Sequence, residues 1–234
     1  MPSGNELYSG AINKETAEYT SPMRANKSNN YLCPFCAKDV FAKQGTKRRY
    51  HFAHAASDNP CRYYKNPGES EIHKEAKLRL KWLLENPTIT IKVNRKCCKP
   101  YCGKHCKNND EFVIENMDTN SEVAGKVLIE YRYKNEYTGG YSVADVAIIV
   151  NDEPSYIFEI CNKHKTDEAS RKGVCWCEID AKTVIDKTNK LDAHSQYIEF
   201  DCIRNTSCEE CGAMEVMYQD FPDNWWFGSL PEFN

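Results

Sequence analysis

Between residues 70 and 203 the apolar positions switch from a helical spacing to an alternating one. Ile72, Ala76, Leu80, Leu83 and Leu84 recur every three to four residues and draw one stripe, which predicts a helix from Glu71 to about Glu85. Ser70 stands in front of it as a cap, and Asn86-Pro87 stops it. The period then falls to two. Alternating runs at 88–94 (TITIKVN), 111–115 (EFVIE), 127–133 (VLIEYRY), 142–150 (SVADVAIIV), 155–161 (SYIFEIC), 174–180 (VCWCEID) and 196–203 (QYIEFDCI) predict strands. Turn residues at Thr138-Gly139-Gly140 and Asn151-Asp152-Glu153-Pro154 separate some of them. A short polar helix fits Asp167 to Lys172, and the type of segment 181–188 (AKTVIDKT) stays open. Helix, strands, helix, strand is the order of an α/β (α+β) domain with a central sheet.

Upstream of this domain the pattern is different. Residues 1–29 are rich in Ser, Asn, Gly, Lys and Glu without apolar periodicity, so a flexible tail is expected there. Residues 30–66 hold a compact Cys/His unit, and Asn66-Pro67-Gly68 separates it from a domain spanning 67–234.

Composition narrows the function classes. Among the 234 residues no apolar run approaches the roughly 20 positions of a membrane helix. The opening MPSGNELYSG lacks the basic and apolar regions of a signal peptide, so the expectation is an intracellular protein without a membrane partner, cytoplasmic, or nuclear in a eukaryotic host. Thirteen cysteines are then the outlier. Inside a cell thiols stay reduced, which points away from a disulfide scaffold and toward metal ligation. Thirty-one Lys and Arg against 34 Asp and Glu give a net charge of −3, so any polyanion site has to be a local patch.

Cys33-Pro34-Phe35-Cys36 and His51-Phe52-Ala53-His54 are the strongest metal motif. Two thiolates on a knuckle and two imidazoles on the returning segment suit a closed tetrahedral Zn²⁺ site, with Cys61 as an alternative to His54. The unit is too small to fold by burial alone, so the metal would also supply folding free energy. Lys38, Lys43, Lys47, Arg48 and Arg49 against Asp39 leave a local excess of four positive charges. With Tyr50, Phe52, Tyr63 and Tyr64 they suggest a surface that tracks a nucleic-acid backbone and stacks bases. Cys98, Cys102, Cys208 and Cys211 form two Cys-Gly knuckles that could clamp a second zinc, with Cys97, His105, Cys106 and Cys202 competing as ligands. Cys175 and Cys177 read as core residues.

Two carboxylates sit inside apolar strands, Asp145 among Val143, Val146, Ile148 and Ile149, and Glu159 between Phe158 and Ile160. A charge there needs a partner. Strands joined by the turn at 151–154 can place both on one face as a Mg²⁺ or Mn²⁺ site, while an edge acid and a surface ion pair are the plainer outcome. Lys163, His164 and Lys165 follow Glu159 and could orient a water. Glu69, His73 and Lys77 fall at i, i+4 and i+8, one polar stripe that matters only if it lies over Asp145 and Glu159.

CPFC, YHFAH, GESEIHKEAKLRL, SVADVAIIV and YIFEI together resemble the CoiA-like competence-protein family, a zinc-finger unit fused to a PD-(D/E)XK nuclease-like domain. The resemblance covers residues 32 to about 180. It implies a restriction-endonuclease-like core, a helix ahead of a mixed sheet, behind a small zinc-bound β-hairpin unit. It also implies Asp145 and Glu159 as the acids of successive catalytic strands, with Glu69 completing the metal site. The lysine or glutamine of that family would fall on Cys161, so Lys163 or Lys165 would supply the missing charge, with His164 a substitute base. The reading that follows is a metal-dependent DNA nuclease or DNA-processing protein. Its alternative is an inactive zinc protein that binds nucleic acid on a degenerate nuclease fold.

Overall fold

Short strands held by turns build the N-terminal unit: β1 (Ala11–Asn13), β2 (Tyr19–Thr20), β3 (Tyr31–Leu32), β4 (Asp39–Lys43) and β5 (His51–His54). They pair antiparallel in the order β2-β1-β3-β4-β5. The sheet closes over Ala11, Ala25, Tyr31, Cys33 and Val40, with the Tyr31 and Phe52 rings 4.9 Å apart. The computed structural model describes residues 9–54, 61, 69–95, 111–114, 125–163, 165–192 and 194–206. The flexible tail expected over residues 1–29 is therefore corrected from residue 9 onward: Ala11 is fully buried and β1 and β2 belong to the sheet. Strands of two and three residues are too short to show a period, which is why composition alone suggested a tail.

The second unit starts on the expected helix, α1 (Glu71–Glu85). Ser70 is extended, and its hydroxyl accepts the His73 N–H at 3.3 Å, capping the first turn. β6 (Thr90–Asn94) and β7 (Glu111–Ile114) follow, then β8 (Lys126–Lys134), β9 (Tyr141–Val150), β10 (Glu153–Cys161), β11 (Trp176–Asp180), α2 (Ala181–Thr188), β12 (Tyr197–Asp201) and β13 (Arg204–Asn205). Segment 181–188 is a helix because the Asp180 carboxylate caps it, accepting from Thr183 N–H at 2.7 Å. The polar stretch after β10 forms a single 3₁₀ turn, Glu168–Arg171.

Strands β13-β11-β10-β9-β8 make one sheet, mixed because β10 and β11 run parallel and the other pairs antiparallel. Asn151 and Asp152, both with positive φ, form the tight turn between β9 and β10. Strands β12-β6-β7 make a second sheet. Both helices pack with these sheets around a core that includes Leu80, Leu83, Ile91, Val146, Phe158, Ile179, Ile185 and Phe200. The fold is thus α+β, with a helix ahead of a mixed sheet and a Cys/His unit in front, as the sequence predicts. Among the described residues no helix is long and apolar enough to cross a membrane.

Helix α1 is buried nearly all round, so its charged residues are enclosed as well. Glu75, with no exposed surface, accepts from Gly10 N–H at 2.9 Å, Tyr19 O–H at 2.8 Å and Arg79 Nε at 2.7 Å. Arg79 stacks over the Tyr19 ring at 4.9 Å and donates to Asn189 Oδ1 at 2.7 Å on the far side. Trp82 Nε1 donates to the Ala17 carbonyl at 2.8 Å. One carboxylate therefore joins the N-terminal sheet, α1 and the end of α2. Removing it would leave Arg79 an uncompensated buried charge, so Glu75→Ala should cost about 3–5 kcal/mol of stability in urea unfolding. The exposed Glu71→Ala should stay within about 0.5 kcal/mol of the parent.

Candidate functional site

The knuckle after β3 turns Cys33 and Cys36 toward each other. Ala37 N–H donates to the Cys33 carbonyl at 2.9 Å, and Ala37 takes φ +53°, a left-handed conformation that costs a non-glycine residue roughly 1 kcal/mol. β5 adds His54, whose Nε2 lies 3.3 Å from Cys36 Sγ. Cys61 completes a Cys₃His group whose ligand atoms all lie within 4.8 Å of one another. Tetrahedral zinc needs such spacings, about 3.6–3.8 Å between ligand atoms, and three soft thiolates with an imidazole are its preferred donors. Burial pushes the Cys33 thiol up to about 12, against the pull of the Cys36 and Phe35 N–H groups. A thiolate there calls for a cation. Burial, then the Lys38 charge, holds His54 below its usual value and so in the neutral form that ligates.

His51 is not part of this group, which corrects the expected Cys₂His₂ set. Residues three apart on a strand face opposite sides, so His51 and His54 cannot both reach the knuckle. His51 shares a face with its cross-strand partner Lys43, and its Nδ1 lies 2.8 Å from the Arg49 carbonyl.

A second cluster forms where α1 crosses the large sheet. The stripe Glu69, His73 and Lys77 does lie over Asp145. His73 Nε2 is 2.9 Å from Asp145 Oδ2 and its Nδ1 3.3 Å from Glu69 Oε1, so both ring nitrogens face carboxylates. Lys77, 1% exposed, pairs with Glu69 and with Glu130 of β8, and lies 3.6 Å from Asp145 Oδ1. Glu130 sits at φ +54°, an interruption of its strand. Ile160 N–H donates to Asp145 Oδ2 at 2.8 Å, and Asn162 Nδ2 donates to the capping Ser70 hydroxyl at 2.7 Å, tying the start of α1 to the end of β10.

Three carboxylates surround one ammonium, an excess of acid. Burial opposes ionisation of Asp145, but His73, Lys77 and the Ile160 N–H outweigh it and hold the carboxyl below its ordinary value. Burial likewise opposes the charge on Lys77, yet Asp145, Glu130 and Glu69 raise its pKa and keep it an ammonium. Ligand atoms of Glu69, His73 and Asp145 lie within 4.8 Å of one another and could hold a metal ion. Two carboxylates suit Mg²⁺ or Mn²⁺, and the imidazole tips the set toward Mn²⁺.

Residues 13–64 match the family model of the competence protein CoiA N-terminal domain. Over these residues the chain is similar to a CoiA N-terminal domain. No curated protein and no solved structure matches the chain. The matched span begins inside β1 and includes all four residues of the Cys₃His group, so the match contains part of the segment expected to be a tail.

Beyond the matched span, the site residues expected from sequence divide. Glu69, His73 and Asp145 come together. Glu159 stands apart from their group: its carboxylate is 2.8 Å from Arg171 Nε, and Arg171 also donates to the Val143 carbonyl at 2.8 Å. Burial, then the Asp145 charge, pushes Glu159 up to about 7 against the pull of Arg171. Lys163 and Lys165 are exposed. Cys161 lies among Glu178, Asp180, Lys165 and Arg204, and its thiol is raised chiefly by burial. The cation at the cluster is Lys77, delivered by the helix. Cys177 and Cys202 are core residues, whereas Cys175 is exposed rather than buried. Cys98, Cys102, Cys208, Cys211 and His164 lie outside the described residues. Glu130 and Arg171 escaped the sequence reading, since neither stands out in its polar surroundings.

Two outcomes follow from this geometry. Elemental analysis should show zinc lost from the N-terminal site in Cys61→Ser and His54→Ala chains and retained in His51→Ala. Glu159 is protonated more readily folded than unfolded, so its contribution to stability is fully present below pH 4.5 and lost as pH rises through about 7. Chemical unfolding between those limits, without added Mg²⁺ or Mn²⁺, should show about 3 kcal/mol of this dependence, and Glu159→Gln should remove it.

Proposed function

We propose that the chain is a divalent-metal-dependent DNA nuclease of the CoiA-like, PD-(D/E)XK type, hydrolysing phosphodiester bonds, with a zinc-bound N-terminal domain that contacts the DNA. The matched domain is that of a competence protein, which supports a competence-related role. The observation that carries the reading is the meeting of Glu69, His73 and Asp145 around a buried lysine, brought together from the residue ahead of the α1 cap, the first turn of α1 and the middle of β9.

Glu69, His73 and Asp145 would hold a Mg²⁺ or Mn²⁺ ion, which supplies Lewis-acid polarisation of a phosphoryl oxygen and a more acidic bound water. Lys77 contributes a fixed positive charge beside the developing phosphorane, the role expected of a lysine after Glu159. Asp145 is kept ionised by its neighbours and stays a ligand across the physiological range. His73, oriented by a carboxylate at each nitrogen, is held in place as a ligand, and the proton that leaves the attacking water passes to solvent. The water oxygen forms its bond to phosphorus as the ester P–O bond breaks, and the departing oxygen takes up a proton. Glu159, engaged by Arg171, positions the strand beside Asp145.

Incubation of purified protein with plasmid and single-stranded DNA tests this. With Mg²⁺ or Mn²⁺ the parent should cleave, Lys77→Met should lose about 100-fold or more, and Asp145→Asn should lose about 1,000-fold. The double change Lys163→Ala, Lys165→Ala should leave the rate within about twofold, since surface charges act weakly at a distance. No cleavage by the parent with either metal, or undiminished cleavage by Asp145→Asn, overturns the reading.

A further inference from the structure

The β4–β5 ribbon has two unlike faces. Cross-strand pairs Val40–His54 and Ala42–Phe52 line the inner one, and Phe52, expected from sequence to stack bases, is packed there against Tyr31. Phe41–Ala53 and Lys43–His51 line the outer one. Phe41 is 52% exposed, an apolar ring in water on a strand otherwise turned outward with Asp39 and Lys43. At the ribbon's end Lys47, Arg48 and Tyr50 are exposed as well. Lys43, Lys47 and Arg48 have no carboxylate partner among the described residues, while Asp39, the one acid of β4 and β5, is taken by Lys14.

The ribbon leads toward the acid cluster. Arg49 Nη2 lies 3.8 Å from Glu71 Oε2, on the first turn of α1, two residues from Glu69 and two from His73. A polymer lying along Phe41, Lys43 and Tyr50 would leave the ribbon beside the carboxylates.

From this juxtaposition we infer that the outer face of the β4–β5 ribbon binds single-stranded nucleic acid, stacking bases on Phe41 and Tyr50 and pairing phosphates with Lys43, Lys47 and Arg48. Exposed rings beside unpaired cations are the arrangement that holds an unpaired strand, because bases stacked in a duplex offer no free face to a ring. A duplex would meet only the cations. The destination of the strand rests on the nuclease reading; the binding surface does not.

The test is fluorescence anisotropy with labelled oligo(dT) and with a duplex of equal length. It uses the zinc-loaded full chain carrying Asp145→Asn, without added Mg²⁺ or Mn²⁺, so that cleavage plays no part. Oligo(dT) should bind about tenfold more tightly than the duplex, Phe41→Ala should lose about tenfold for oligo(dT), and Phe41→Trp should retain binding because it restores a stacking face. Lys43→Gln with Arg48→Gln should flatten the log–log salt dependence by about 1.4, the contribution of two phosphates on a single strand. Equal affinity for the two DNAs overturns the inference. So does unchanged oligo(dT) binding in Phe41→Ala, with zinc content and unfolding midpoint confirming that the variants are folded. Selective binding by a parent chain that cleaves nothing would sink the nuclease reading and leave this one standing. Cleavage without selectivity would do the reverse.

Discussion

Helix α1 encloses Glu75, Lys77 and Arg79 at 0%, 1% and 3% exposure, and the N-terminal sheet, β8, β9 and α2 each meet one of them. Charges taken out of water are tolerated only where partners replace the solvent. The helix meets that condition in two directions. Glu75 and Arg79 reach to the N-terminal sheet and α2, while Lys77 reaches to β8, β9 and Glu69, which precedes the cap of the helix. The apolar stripe of Ala76, Leu80, Leu83 and Leu84 sets how deep the helix sits, and the charges set its rotation and register.

That arrangement explains why the two units are not beads on a string. The N-terminal sheet has a small core of its own, five buried residues with four partly buried neighbours. A sheet of this size leans on the helix for stability, and a metal held by its thiols would add to it. Gly10, Ala17 and Tyr19, which hydrogen-bond to α1, all lie in the segment that composition assigned to a tail.

Sequence periodicity located the long elements closely, because α1 and β8 to β10 each carry enough apolar positions to define a period. It missed what depends on parity and on distant partners. His51 and His54 look equivalent in a Cys/His motif, and only the strand assignment shows that an odd separation divides them between faces. Asp145 and Glu159 look equivalent as acids in apolar strands, yet one meets His73 and Lys77 and the other meets Arg171, a residue in a short 3₁₀ turn with no period at all. Lys77 was visible as the third member of a helical stripe. Its importance depended on what lay beneath, which a one-dimensional pattern does not contain.

The Asp145 carboxylate also replaces a piece of backbone. Regular pairing of β10 with β9 ends at Phe158 and Val146, and the next N–H of β10 free to point that way, that of Ile160, is taken by the Asp145 side chain. A carboxylate that doubles as a rung of the sheet cannot be lost quietly. Deleting it would leave a buried amide without an acceptor, and the strands on either side would loosen together with the cluster. In this chain the acid cluster and the closure of the sheet share one oxygen atom, Asp145 Oδ2.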